Sequence, residues 1–257
     1  MHEPGLTRQP VLEQAMAWLV EHGPVATKPP LPTWALDRLV KNKRILRLRR
    51  DVFLAPTPTG RLPSVGAVAA LLAPGGYISF YAAMILHGLT DQDTSRWVVI
   101  SDRRQADARY GDRIIHFVFA PARAASAHDD SKDFNGVPAR VATVAQAIVD
   151  SLAMTWHAPR LRELVAIIRL GLQSGRLNRE ELVELVLAEN SPAVARRAGF
   201  LLELVGEKAD SRLRAIAMRS NDRTQLIPNQ PTTASSRTWR LDLPAPESEL
   251  LSAHGEV

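Results

Sequence analysis

The stretch RLVKNKRILRLRRDVFLA, residues 38–55, predicts the fold of the N-terminal part of the chain. Seven of its first 13 residues are Lys or Arg. Apolar and basic side chains alternate over residues 45–49, which predicts a strand, and Arg50-Asp51 separates it from a second, apolar strand over residues 52–55. A short helix that leads into a basic hairpin is typical of a winged helix-turn-helix, in which a helix enters the major groove of DNA and the hairpin contacts the flanking backbone.

A solvated helix face is the simpler interpretation of a run of charges. Here, however, the basic residues continue from a helix through a turn into a strand, which a solvated helix would not require. The first 62 residues contain ten Lys and Arg against five Asp and Glu, so they account for the whole net charge of +5, and the remaining 195 residues contain 22 of each sign. Focused positive charge of this kind indicates a polyanionic partner.

The residues before the basic stretch complete the predicted motif. Apolar residues between Val11 and Leu19 recur with helical spacing and predict a first helix. Residues 24–32 include four prolines, so we expect any helix there to be short or distorted. Thr33 is the predicted N-cap of the next helix, residues 34–42. The residues of that helix predicted to face inward are Ala35, Leu36, Leu39 and Val40, and those predicted to face outward are Thr33, Trp34, Asp37, Arg38 and Lys41.

Nine residues of the helix and the hairpin are candidate DNA contacts. They are Thr33, Trp34, Arg38, Lys41, Lys43, Arg44, Arg47, Arg49 and Arg50. Side chains at the start of the helix are placed to read base edges, whereas hairpin arginines would contact phosphates and act on all sequences alike. For Trp34 a packing role is the alternative, because Trp is usually buried. Double-stranded DNA is therefore the predicted partner.

We expect an α+β protein with two parts. A linker rich in Pro, Thr and Gly, residues 56–63, separates a winged helix-turn-helix over residues 1–58 from a C-terminal domain over residues 59–243. The predicted regions of that domain are a mixed α/β region over residues 63–140, a mainly helical region over residues 141–219 and a closing edge strand over residues 238–243. Residues 244–257 have little apolar surface to bury, and we expect a flexible tail there.

Finer features of the C-terminal domain can also be predicted. Polar residues 124–137 predict a loop. Candidate helix caps are Ser79, Thr143, Asn178 and Ser191. Pro192 is well placed at the first position of a helix. Arg196 and Arg197, adjacent on that helix, are expected to form a solvated or structural pair, one of them with a nearby Glu, and a contact with DNA or a protein partner is the alternative.

Composition narrows the class of protein. A chain with 46% hydrophobic and 23% charged residues is typical of a soluble globular protein. Without cysteine there are no disulfides and no thiolate metal sites. No apolar run approaches the length of a membrane span, and the first residues lack the apolar core of a signal peptide, so we expect a cytoplasmic protein with no membrane partner.

The sequence does not favour an enzyme. It contains no Gly-x-Ser-x-Gly, no His-Glu-x-x-His and no P-loop. Gly75-Gly76 followed by Asp91 and Asp93 resembles part of a nucleotidyltransferase site, but the adjacent Gly-Ser of such sites is missing. The seven histidines are scattered. We therefore expect no catalytic residues, no metal site and no cofactor.

Several segments resemble the AbiEi antitoxins of abortive-infection toxin–antitoxin systems. RLRRDVFLAP (residues 47–56) is similar to the winged-helix start of that family, and YISFYAAMILHGLTDQ (residues 77–92) to its strand-helix-His-Gly-Leu signature. Its later helices and closing strand are matched by VATVAQAIVDSL, SPAVARRAGFLLELVG and TWRLDL. The chain departs from the family at Asp51, where Gly is usual, and in the proline-rich residues 24–32.

The resemblance implies two functions. The N-terminal domain would bind inverted repeats in its own promoter, two copies to one operator, and repress the operon. The C-terminal domain would counteract a nucleotidyltransferase-like toxin encoded next to it, an antagonism that in type IV systems does not require a stable complex. A stand-alone winged-helix regulator, whose C-terminal domain binds a small molecule or dimerises, is the alternative. An antitoxin that binds protein alone is the third possibility.

Overall fold

A computed structural model describes residues 9–252 of the chain, and it confirms the α+β class. The chain forms two compact units. The first unit comprises the chain up to Ile78 together with Thr94–Ser126 and Ser131–Val141. The second unit comprises Ser79–Asp93, Ala127–Asp130 and the chain from Ala142 onward.

The first unit begins with the predicted helices and hairpin. Its elements are α1 (Gln9–Glu21), β1 (Val25–Thr27), α2 (Thr33–Lys41), β2 (Leu46–Arg49) and β3 (Val52–Leu54). The strands form an antiparallel sheet in the order β1-β3-β2. The apolar faces of α1 and α2 pack on this sheet, with Leu19 and Leu39 fully buried. The predicted inward residues of α2 are buried or half-buried and its predicted outward residues are exposed, so the predicted faces are confirmed.

The helix that normally precedes the recognition helix of a winged helix is replaced by residues 28–32, which are not helical. Proline lacks an N–H donor and keeps the residue before it out of the helical region, so KPPLP cannot form a helical turn. The same chemistry corrects one prediction. Pro32, with φ −58° and ψ 129°, is the N-cap of α2, and Thr33 is its first helical residue rather than its cap.

The rest of the first unit is built on a six-stranded sheet. The elements that follow the hairpin are α3 (Val65–Leu72), β4 (Tyr77–Ser79), β5 (Arg96–Ser101), β6 (Ala108–Tyr110), β7 (Arg113–Phe119), α5 (Pro121–Ser126), β8 (Asp129–Asp133) and β9 (Pro138–Ala142). The strand order is β6-β7-β5-β4-β9-β8, with β5 parallel to β7 and β4 parallel to β9. The loop predicted over residues 124–137 is wrong, because β8 pairs there as an edge strand, where charged side chains are tolerated.

The boundary predicted near residue 58 differs from the division into compact units. β2 packs against β6, and the Arg49 guanidinium donates hydrogen bonds to the Ala106 carbonyl and to Gln105 Oε1. The predicted linker is tied down as well, since Tyr110 donates a hydrogen bond of 2.7 Å to the Pro63 carbonyl. The winged helix is therefore one part of a larger unit that extends to Val141.

The second unit is mainly helical. Its elements are α4 (Phe80–Leu86), α6 (Val144–Ala153), a 3₁₀ turn (Thr155–His157), α7 (Leu161–Gln173), α8 (Arg179–Glu189), α9 (Pro192–Leu204), α10 (Ser211–Ala217), β10 (Thr224–Gln225), β11 (Ala234–Ser236), β12 (Leu241–Leu243) and α11 (Glu247–Ser252). The caps predicted at Thr143, Asn178 and Ser191 are confirmed by their side-chain hydrogen bonds. Ser79 precedes α4, but its hydroxyl donates to the buried Asp150 carboxylate instead of capping the helix.

Two predictions near the C-terminus are wrong. The closing strand starts at Leu241, not at residue 238, because Arg240 has a left-handed φ of +51° that a strand does not allow. β12 is also the central strand of the small sheet β10-β12-β11 and not an edge strand. The predicted tail contains α11, whose Leu250 is buried. The last part of that tail, residues 253–257, lies outside the described residues.

Helix α9 organises the end of the chain. Arg196 and Arg197 are both buried and bond mainly to backbone carbonyls, Arg196 to those of Ala217 and Ser220 and Arg197 to those of Leu152 and Gln225. The Glu partner expected for one of them is thus replaced by carbonyl oxygens. Burial lowers the pKa of the Arg197 guanidinium.

Helix α9 also packs against Trp239, the Trp of the closing segment. Trp239 is fully buried and donates a 2.7 Å hydrogen bond from its indole N–H to Glu203. Its ring lies directly against Gly199, where any Cβ atom would overlap the ring. The motif Arg-Arg-x-Gly-Phe-Leu-Leu-Glu therefore describes a packing surface for the chain from Ala217 to Leu243.

We predict that Gly199→Ala lowers the free energy of unfolding by about 1–3 kcal/mol, the usual effect of overpacking a core. At an open helical position the same change would stabilise the protein by up to about 1 kcal/mol. The sign of the change in unfolding free energy therefore distinguishes the two cases. Urea denaturation measures the difference. In a Trp239→Leu background the loss should largely disappear, because the ring that occupies the space is gone. An equal loss in both backgrounds would contradict this account of the contact.

Candidate nucleic-acid interface

The outward face of α2 presents basic and aromatic side chains to solvent. Arg38 and Lys41 are exposed on this face, and Thr33 and Trp34 are exposed in its first turn. Trp34 keeps 44% of its surface accessible, which is more than a residue that serves only for packing. Leu36 and Leu39 on the opposite face of α2 are buried in the core. Their packing fixes the rotation of the helix and therefore the direction of its outward side chains.

The end of α2 places a lysine in a strained conformation. The Lys43 N–H donates to the Val40 carbonyl and the Arg44 N–H to the Leu39 carbonyl, the two bonds of a Schellman motif. The position between helix and strand that this motif usually gives to Gly is occupied by Lys43, with φ +56°. A non-glycine residue in the left-handed region costs roughly 1–2 kcal/mol. The chain thus keeps a positive charge here at the expense of stability.

The hairpin tip has an almost fully exposed arginine. The Arg50 side chain is 96% exposed, next to Asp51. Asp51 has a φ of +57°, the left-handed conformation for which Gly is the usual residue. Its carbonyl accepts a 2.7 Å hydrogen bond from the N–H of Lys28. The exposed Lys28, which was not among the predicted contacts, therefore lies beside the hairpin tip.

Two of the predicted contacts form ion pairs with the helices of the motif, in addition to Arg50, whose Nε lies 3.8 Å from the carboxylate of its neighbour Asp51. Arg44 donates two hydrogen bonds to the Glu13 carboxylate of α1, and this bonding lowers the pKa of Glu13. Arg47 pairs with Asp37 of α2 at 2.5 Å and stacks over the Phe53 ring. Both pairs are partly exposed, where ion pairs are weak, so DNA phosphates can compete for these arginines.

Arg49 is the predicted contact least available to DNA. It is half-buried, bonds to residues 105 and 106, and stacks over the Phe117 ring. Burial lowers the pKa of its guanidinium, and the nearby charge of Arg103 lowers it further. The expected alternation over residues 45–49 is interrupted by a register shift between Arg47 and Arg49 in the pairing of β2 with β3.

The two compact units differ in net charge, although the sequence after residue 62 is balanced. The segments of the first unit contain 18 Lys and Arg against nine Asp and Glu, and those of the second unit contain 14 against 18. The equal numbers of basic and acidic residues after residue 62 are thus the sum of basic segments in the first unit and acidic segments in the second. The basic segments are not apparent from the sequence, because some of their arginines alternate with aspartates in SDRRQADARYGDR, residues 101–113.

The described residues offer few features of other kinds of site. Among residues 9–252, no group of three His, Asp or Glu side chains is placed to hold a metal ion. Asp91 and Asp93, weighed as a catalytic pair, are exposed in the loop after α4. In the same part of the chain no helix is long and apolar enough to cross a bilayer.

Comparison with known proteins gives one informative likeness. The fold is similar to that of the RV2827C protein from Mycobacterium tuberculosis, whose crystal structure superposes with a TM-score of 0.61. The match covers 96% of this chain and 95% of that chain, at 16% sequence identity. At this identity the likeness concerns the fold alone. No protein-family model and no curated protein sequence matches the chain.

We predict that Lys43→Gly and Lys43→Ala weaken DNA binding equally, since each removes one charge, but differ in stability. Glycine relieves the left-handed strain, so Lys43→Gly should raise the free energy of unfolding by up to about 1 kcal/mol. Lys43→Ala should gain nothing. Thermal unfolding and DNA titration of both variants test this. Equal stability of the two variants would contradict the strain, and unequal DNA affinities would contradict a purely electrostatic role.

Proposed function

We propose that the protein binds double-stranded DNA through α2 and the β2–β3 hairpin, and that it is an AbiE-like antitoxin that represses its own operon. The observation that carries DNA binding is the exposed face formed by Arg38, Lys41, Lys43 and Arg50, in a unit with twice as many basic as acidic residues. Phosphate contacts dominate the affinity of such surfaces, and a helix that reaches base edges adds specificity.

The parts of the motif suit different contacts. α2 has an exposed N-terminal turn that contains Thr33 and Trp34, and a helix docked in the major groove contacts bases with such residues. Arg50 at the hairpin tip is almost fully exposed, and its long ion pair with Asp51 is weak, so this side chain suits a phosphate. Two copies on inverted repeats would double these contacts, as in other DNA-binding motifs of this shape.

The antitoxin half of the proposal rests on the resemblance of residues 77–92, 141–152 and 191–206 to AbiEi antitoxins. These segments contain β4 and the helices α4, α6 and α9, of which α6 and α9 have side-chain caps. The partner would be a nucleotidyltransferase-like toxin encoded next to this gene. The antagonism of this toxin would depend on the acidic second unit. It would take place in the cytoplasm and would need no membrane and no cofactor.

A stand-alone regulator that binds a small molecule is the second candidate. It is favoured by a cavity of about 240 Å³ in the second unit, between α6, α7 and α9. The cavity walls are mostly apolar, with Arg160 and Arg197 as charged neighbours. Its volume lies just below the range of about 300–1,000 Å³ typical of ligand sites, so the antitoxin remains the preferred proposal.

Charge variants of the full chain test DNA binding. With the duplex upstream of its own gene, we expect Arg38→Ala and Lys41→Ala to reduce the ratio of specific to non-specific affinity, because they remove base contacts. Arg50→Ala should lower the affinity for every duplex and reduce the slope of log K against log salt by about 0.9. Fluorescence anisotropy at 50–200 mM salt, with unrelated duplex as competitor, measures both quantities.

Arg237→Ala, an exposed arginine of the second unit, is the matched control and should change neither quantity. An affinity of the wild-type protein that is independent of salt, or equal for all duplexes, would overturn operator binding. If Arg50→Ala altered sequence preference while the α2 variants did not, the hairpin and not α2 would be the reading element.

Rescue from the neighbouring toxin tests the other half of the proposal. Because the first unit extends far beyond residue 58, the test uses the full chain and not a truncated fragment. We expect the Arg38→Ala/Lys41→Ala/Arg50→Ala variant, expressed with the toxin from an unrelated promoter, to lose DNA binding but to protect cells as well as the wild type does. Growth curves measure protection. Failure of the wild-type protein to protect would exclude the antitoxin and favour the regulator.

A further inference from the structure

A second basic strip lies next to the hairpin in the first unit. Residues 101–113, which carry four arginines and three aspartates, lead from the end of β5 through β6 into β7. β6 packs against β2, and the Arg49 guanidinium donates hydrogen bonds to the Gln105 side chain and to the Ala106 carbonyl. The arginines of this segment therefore continue the surface of the hairpin, although 50 residues separate them from it in the chain.

Two of the three aspartates make contacts of their own, although all three are exposed. The Asp107 carboxylate lies 2.8 Å from His116 Nδ1. The Asp102 carboxylate lies against the backbone of Gly75, in the space that a Cβ atom on Gly75 would need. Asp112 follows in the turn before β7. The four arginines of the segment outnumber its aspartates by one, so contacts with phosphates would depend on individual arginine side chains and not on a large net charge.

Three of the four arginines are exposed, and Arg113 is half-buried. Arg104 stacks its guanidinium over the Phe119 ring at 4.4 Å, while Phe119 itself is 41% exposed. Arg109 on β6 is exposed between the buried Ala108 and the half-buried Tyr110. Stacking on a ring orders the planar fork of an arginine and leaves its N–H groups for a phosphate. Arg103, also exposed, uses one donor on the Leu72 carbonyl.

We propose that Arg104 and Arg109 bind the phosphate backbone of the duplex beyond the hairpin, so that the DNA contact extends from the winged helix along the edge of the six-stranded sheet. This rests on the proposed DNA binding and lengthens its footprint. Arg49 is then a positioning residue, which holds the hairpin and residues 103–109 in one surface. A strand of DNA carries one phosphate per 3.4 Å, so two arginines beyond the hairpin correspond to about two further contacts.

The test compares two double variants of the full chain that lose the same charge. Arg104→Ala/Arg109→Ala removes the proposed contacts, and Arg162→Ala/Arg237→Ala removes two exposed arginines of the second unit. Each is titrated with the duplex upstream of its own gene at several salt concentrations. We expect the first variant to lower the salt slope by about 1.8 and the second to leave it unchanged. Arg104→Lys/Arg109→Lys should restore most of the slope, which separates lost charge from misfolding.

Hydroxyl-radical footprinting supplies a second readout. In complexes with Arg104→Ala/Arg109→Ala, protection should be lost at one outer end of each half-site and retained at its centre. Equal salt slopes for the two double variants, with wild-type protection throughout, would overturn the extended contact and leave the winged-helix contact standing. Absence of wild-type binding to this duplex would overturn both proposals.

Discussion

The Arg49 guanidinium joins the β2–β3 hairpin to the six-stranded sheet, and the organisation of the first unit depends on this contact. Its hydrogen bonds end on residues 105 and 106, and its plane lies over Phe117. A hairpin of four-residue and three-residue strands has little stability of its own. Through Arg49 and the packing of β2 on β6, the hairpin becomes the margin of a larger basic body and not a free wing.

The second unit uses buried arginines for a different purpose. Arg196 and Arg197 donate to carbonyls at the C-terminal ends of α10 and α6 and to those of Ser220 and Gln225, and Trp239 fills the space that Gly199 leaves open. A buried guanidinium must satisfy its donors, and backbone carbonyl oxygens accept most of its hydrogen bonds here. The paired arginines therefore organise the polar chain between α10 and β12, where apolar side chains are too few to do so.

Local rules predicted much of this structure. The faces of α2, the hairpin after it and the caps at Thr143, Asn178 and Ser191 all follow from neighbours in the sequence, and they are confirmed. Features that depend on distant partners were predicted poorly. β8 is polar because it lies at a sheet edge, and β12 is central because β10 and β11 flank it. For the candidate site, Arg38, Lys41, Lys43 and Arg50 could be found from the charge run. Lys28, Arg104 and Arg109 could not, because only the fold brings them beside it.

Amide hydrogen exchange of the full chain, with and without the duplex upstream of its own gene, tests the location of DNA binding most directly. Bound DNA should slow exchange in α2, at the hairpin tip around Arg50 and over residues 103–109, and should leave the helices of the second unit unchanged. Slowing that is confined to the second unit, or no change at saturating duplex in low salt, would contradict the account.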